Sequence, residues 1–207
     1  MESKMQTGVL LVLGPIIALI GWMGFYPQAE GPAEIAKALM DDPTMGTIGS
    51  LLGYTGMITI MLGLHYFTSR LANSGSNGAS YASVPSKLFL VMIAFFISGV
   101  GLELATIQAD SLSQGQLYQE ITFALGGGFG LVVGGGLLLT AASVILSKSY
   151  HLLVGAVFVL PGIILPISFL TQSGPNDPIS MASWMSLMFG LVAIGILDIR
   201  SARQGNG

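Results

Sequence analysis

The amino-acid sequence predicts an all-α integral membrane protein: a single domain over residues 1–207 built as a bundle of six transmembrane helices, with a short amphipathic helix in the first external loop. Three observations lead there. Of the 207 residues, 52% are hydrophobic and 8% charged, with a mean hydropathy of +0.77, whereas a water-soluble domain carries about a quarter charged residues. Six segments reach the roughly 20 apolar residues that span about 30 Å of hydrocarbon. The 29 glycines lie largely inside these runs, where membrane helices use them as contact positions.

The first segment, Thr7–Tyr26, follows Met-Glu-Ser-Lys as a signal peptide would, but it is long and ends at Trp22 and Tyr26 without a small-x-small cleavage pattern. It reads as a retained span. Gly14-Pro15 within it predicts a kink. Between the first two spans, Gly31-Pro32 opens a pattern that puts Ile35, Ala36, Leu39 and Met40 on one face, and Asp41-Asp42-Pro43 closes it. Proline at a first helical position and this apolar spacing suit an amphipathic helix on the outer leaflet or capping the bundle. A solvated loop is the alternative.

The later spans are Met45–Phe67, Leu88–Ile107, Ile121–Leu146, Leu152–Thr171 and Met181–Ile199. Breaks are marked by Gly75 and Gly78, by Gly115, and by Gly174, Pro175 and Pro178. The Ser-, Gly- and Asn-rich stretch Asn73–Ser83 reads as a flexible loop. In the fifth span, Pro161 and Pro166 each remove a backbone donor, which predicts a kink or a break where Ser168 re-satisfies carbonyls. Trp22, Tyr26 and Trp184 fall at the outer ends of their spans, the position of interfacial anchors.

Six of the seven basic residues, Lys4, Arg70, Lys87, Lys148, Arg200 and Arg203, fall on one side of this arrangement, and Lys37 on the other. Cytoplasmic loops are enriched in Lys and Arg, so both termini are expected in the cytoplasm. Most of the carboxylates map to the opposite face.

Several chemistries drop out. A formal charge of −3 without a basic cluster gives nucleic acid nothing to hold. With no cysteine there is no disulfide, thiolate metal site, iron–sulfur cluster or thiol nucleophile. His65 and His151 lie near the cytoplasmic ends of their helices without clustered carboxylates, and read as interfacial residues rather than haem or metal ligands. No serine elbow, His-Glu-x-x-His pair or intramembrane lysine is present. No catalytic residue, metal or cofactor is expected.

Two constellations remain. Gly126, Gly130 and Gly134 recur every fourth residue of the fourth span, an extended GxxxG face for close helix packing. Candidate partners are Gly49/Gly53 and Ala182/Ser186/Gly190, and self-association is the other use of such a face. Glu103 is an acidic residue placed inside a span, about 6 Å from its predicted end at Ile107 at 1.5 Å per residue. Such a carboxylate must face the bundle interior, pair, or stay protonated. Thr106 and Asp110 follow at helical spacing and extend a polar stripe toward the outside. The group reads either as an ion or proton site or as a hydrogen-bonded helix fastener.

The second span runs Ile48-Gly-Ser-Leu-Leu-Gly to Leu64-His-Tyr-Phe and ends in Arg70, and the Gly/Leu-rich fourth span leads through Lys148-Ser-Tyr-His into the fifth. With the polar excursion after the first span, this layout resembles a broad family of prokaryotic six-helix membrane proteins catalogued as a domain of unknown function. The resemblance covers nearly the full length and implies the fold, but supplies no catalytic residues. The expected role is a non-enzymatic accessory or assembly-forming subunit, in contact with lipid and with a second copy or another membrane protein. The alternative is a small-solute or proton-linked transporter using Glu103.

Overall fold

The computed structural model describes residues 3–171 and 177–205, and these form helices and turns with no strand among them. The breaks expected at Gly174 and Pro175 lie outside the described residues. Helix α1 spans Lys4–Leu19 and continues as a π-helical turn over Ile20–Phe25; α2 is Pro32–Asp41, α3 Pro43–Ala72, α4 Ala79–Ile107, α5 Leu112–Ser147, α6 Leu152–Leu170 and α7 Pro178–Gln204. Five of the helical segments, all but α2 and α6, are long and apolar enough to cross a membrane, and the apolar run of α6 over Leu152–Ser168 is shorter.

Helix starts follow local chemistry. Ser3, Asp42, Ser111 and Asp177 each accept a hydrogen bond from a backbone N–H three residues on, which satisfies one of the free donors of the first turn. Gly31 precedes Pro32 with φ +84°, a backbone state that L side chains disfavour, so the chain turns into α2 where only glycine is comfortable. The amphipathic reading of this segment holds. Ile35, Ala36 and Leu39 are buried, and α2 packs on the first turns of α5, where a Cβ on Gly115 would lie 3.0 Å from the Met40 sulfur. It caps the bundle.

Three expected boundaries move. The stretch Asn73–Ser83 is not a long flexible loop: the turn covers residues 73–78 and α4 begins at Ala79, running through Pro85. Gly78 lies against the Ser143 carbonyl of α5, which pins the turn to the bundle. Gly115 is not a break, because α5 starts at Leu112 and its polar first turns are covered by α2. Neither Pro161 nor Pro166 interrupts α6, and the Ser168 hydroxyl accepts from Ser180 of α7 instead of mending its own helix.

Sequence neighbours pack as antiparallel pairs, and α1 closes the arrangement by lying between α3 and α7. That closure depends on absent side chains: a Cβ on Gly8 would come within 2.6 Å of the Gly195 carbonyl, and one on Gly14 within 2.8 Å of Ile60. Where α1 begins, α7 ends, and Lys4 Nζ donates to Ser201 Oγ at 3.0 Å. The core runs through Leu11, Met57, Leu64, Phe67, Phe89, Leu137, Phe158 and Leu191. Trp22 and Trp184 are half-buried and packed against neighbouring aromatic rings. Trp22 meets Tyr54 edge-on at 6.2 Å, and Trp184 stacks on Phe129 at 5.8 Å and 14°.

The α5 glycine stripe divides. Gly134 packs against Pro166 and Gly162 of α6, and Gly130 is buried. Gly126 is exposed with nothing within 4 Å of a Cβ, because the stripe rotates out of the α5–α6 seam toward its N-terminal end. The partners expected for it pack elsewhere: Gly49 and Gly53 meet Tyr26 and Trp22, and Gly190 meets Val157 of α6.

Candidate functional site

Glu103 lies one helical turn before the end of α4 and is 2% exposed. A carboxylate withdrawn this far from water needs donors on its oxygens. Three other segments supply them. The Tyr26 hydroxyl, at the end of the π-helical turn, donates to both oxygens at 3.1 Å. Tyr54 of α3 donates to Oε1 at 3.3 Å, and Gln119 of α5 donates to Oε2 through Nε2 at 3.0 Å.

Each donor is placed by a local feature. Tyr26 is held because the backbone of residues 25 and 26 rests on Gly49, where a Cβ would come within 2.6 Å of the Tyr26 nitrogen. The Tyr54 ring reaches Glu103 across Gly99 of α4, where a Cβ would lie 2.5 Å from the ring. Gln119 is fully buried in the extension of α5 that α2 covers. The cluster therefore ties the π-helical turn, α3, α4 and α5 together at one level of the bundle.

Thr106 is fully buried beside this cluster: it accepts from Gln119 Nε2 at 3.1 Å and donates to the Leu102 carbonyl at 2.9 Å. Asp110 does not join it. Helix α4 stops at Ile107, so the helical spacing that aligned Asp110 with Glu103 ends there, and Asp110 is exposed, its backbone N–H bonded to Gln114. Gln119 Oε1 and, one turn before Tyr54, Ser50 Oγ are buried without a protein partner.

No protein-family model, curated protein or solved structure matches the chain. What the site can do rests on its own geometry. All the contacts to Glu103 come from neutral donors, with no cation among them, which suits a carboxyl group held in place by hydrogen bonds.

A second polar cluster, passed over in the sequence, sits at the opposite end of the bundle. Asp198 of α7 is 1% exposed and pairs with Arg70, in the last turn of α3. The Tyr150 hydroxyl, in the α5–α6 turn, accepts from Arg70 at 2.9 Å and donates to Asp198 Oδ1 at 2.8 Å. Burial and the adjacent carboxylate push the Tyr150 hydroxyl above its ordinary pKa, with Arg70 opposing in part. The available signal was the position of Asp198 just inside the end of an apolar span, where a carboxylate requires a partner. His65 and His151 have separate uses. His65 Nδ1 sits 2.8 Å from the Ser86 carbonyl, which can only accept, so that nitrogen carries the proton. His151 Nδ1 accepts from Leu153 N–H at the start of α6.

Proposed function

We propose that the chain is a non-enzymatic subunit of a prokaryotic inner membrane, crossing it six times with both ends in the cytoplasm and acting by assembly with a second copy or another membrane protein. The sixth crossing is α6, which lies antiparallel to α5. The observation that carries the assembly reading is the outward face of α5. Gly128 is exposed with nothing within 4 Å of a Cβ, and the exposed Leu125 and Leu131, three residues to either side, share its face. Such a face lets another helix approach to backbone distance, where dispersion holds membrane helices together. The enclosure of Glu103 by Tyr26, Tyr54 and Gln119 supports the same reading, since a fastener of this kind serves a rigid bundle.

The test is the mass of the protein in lipid nanodiscs, beside its chain mass of 21.5 kDa. The expected result is a multimer, or a stable complex with another membrane protein, that Gly128→Leu dissociates without lowering the thermal midpoint. A wild-type protein that remains alone in native membranes, or a Gly128→Leu variant that assembles unchanged, overturns the proposal.

Proton-linked transport is the second reading, favoured by the buried Glu103 and by the unpartnered Gln119 Oε1 beside it. Glu103→Gln keeps most of the hydrogen bonding and removes titration. If proteoliposome flux is absent in the wild type, or is the same in the variant across the range from about pH 5 to 8, this second reading fails.

A further inference from the structure

The Arg70–Tyr150–Asp198 cluster forms part of the wall of a cleft of about 580 Å³ at the end of the bundle where α1 starts and α7 finishes. Lys4, His151 and Arg200 complete its charged and titratable lining. Three permanent cations thus face one carboxylate. That carboxylate is already used, because Oδ2 is taken by Arg70 and Oδ1 accepts from Tyr150. Arg70 has further capacity: its Nη1 is buried without a protein partner. Lys4 and Arg200 are exposed at the rim, with Lys4 bonded to the Ser201 hydroxyl.

A wall of this kind holds an excess of donors and positive charge over Asp198, the one anion that lines it among the described residues. Arginine and lysine together with hydroxyls match a compact anion of several oxygens better than a single carboxylate. The cleft lies where the apolar lengths of α3 and α7 run out, the depth at which headgroups sit, and basic pockets between membrane helices at that level recognise phosphate headgroups. Its volume admits a phosphate with a small esterified alcohol. We propose that this cleft binds a phosphate ester, carried either by the headgroup of an anionic phospholipid or by a small soluble molecule.

The experiment uses the full chain in a nonionic detergent, with thermal midpoint and native mass spectrometry as readouts. The probes are phosphatidylglycerol against phosphatidylcholine in mixed micelles, and glycerol 3-phosphate against chloride at matched ionic strength. The expected result is a dose-dependent rise in midpoint with a phosphate ester. A rise with phosphatidylglycerol alone assigns the headgroup as the source, and a rise with glycerol 3-phosphate alone assigns a soluble ester. Lys4→Gln/Arg200→Gln alters only exposed side chains and should weaken binding about 30-fold, taking roughly fivefold for each charge removed near a membrane surface. A wild-type protein that responds to neither ester beyond its control, or a double variant that binds as tightly as the wild type, overturns the proposal.

Discussion

Tyr150 bridges Arg70 and Asp198, accepting from one at 2.9 Å and donating to the other at 2.8 Å, so three segments separated by up to 128 residues close on a single hydroxyl. Asp198 is almost wholly withdrawn from solvent, and removing one member of such a pair leaves the other charge buried and unpaired. Asp198→Asn should therefore destabilise the protein by about 3 kcal/mol, whereas Arg70→Gln/Asp198→Asn should recover a large part of that loss. Thermal unfolding of the two single variants and the double variant completes the cycle. Additive losses in the double variant would show that the pair is not coupled.

The same hydroxyl gives an alkaline limb. Its pKa is raised in the folded protein from an ordinary value of 10.0, so the folded state favours the protonated form more than the unfolded chain does. The stabilisation is fully present below about pH 10 and is lost as pH climbs above it. Thermal midpoints should fall above that pH, and Tyr150→Phe should flatten the fall while lowering the plateau by about 1–2 kcal/mol through the lost hydrogen bonds. An alkaline limb of equal slope in the variant would assign it to other groups.

Within α5, equal substitutions should have unequal effects. Gly134→Leu places a side chain where Pro166 and the Gly162 carbonyl already sit, and should destabilise by about 1–3 kcal/mol or more. Gly126→Leu meets open space and should leave the thermal midpoint close to that of the wild type. Equal losses at the two positions would contradict the observed seam between α5 and α6.

The orientation proposed for the bundle can be tested against a clean background, since the chain has no cysteine. A Lys37→Cys variant places a thiol on the exposed face of α2, and Asn77→Cys places one in the α3–α4 turn. An impermeant maleimide added to intact cells should label the first and spare the second. The reverse pattern would invert the topology.

Five of the spans were legible because about 20 consecutive apolar residues between turn formers are hard to read otherwise, whereas the apolar run of α6, over Leu152–Ser168, is shorter than the expected span Leu152–Thr171. The helix ends were less legible, since polar residues that another helix covers look like loop residues in one dimension. Gln114, Gln116 and Gln119 resembled a connection, yet they extend α5 beneath α2, and the Ser-rich start of α4 misled in the same way. The burial of Glu103 was readable from its depth. Its donors were not, because Tyr26 and Tyr54 lie 77 and 49 residues away and reach it through glycine contacts that spacing does not reveal. Asp110 was misassigned by carrying the helical period past the end of α4.

The π-helical turn at Ile20–Phe25 amounts to one extra residue threaded into a helix that would otherwise run straight through. In genetic terms, the loss of a single codon could reverse it. Met23 is 63% exposed, so its deletion would remove little packing of its own. The shortened segment would close into an ordinary α-helix, because a turn closed by i→i+5 bonds holds one residue more than a turn closed by i→i+4 bonds, and everything beyond it would keep its register. The Tyr26 hydroxyl would stay within reach of Glu103, and the backbone resting on Gly49 would keep its seat. An in-frame deletion of Met23 should consequently be far less damaging than deletion of Leu13 in the regular part of α1, which turns everything beyond it by about 100°. A lineage carrying the Met23 deletion would need no second change at Glu103 or Gly49.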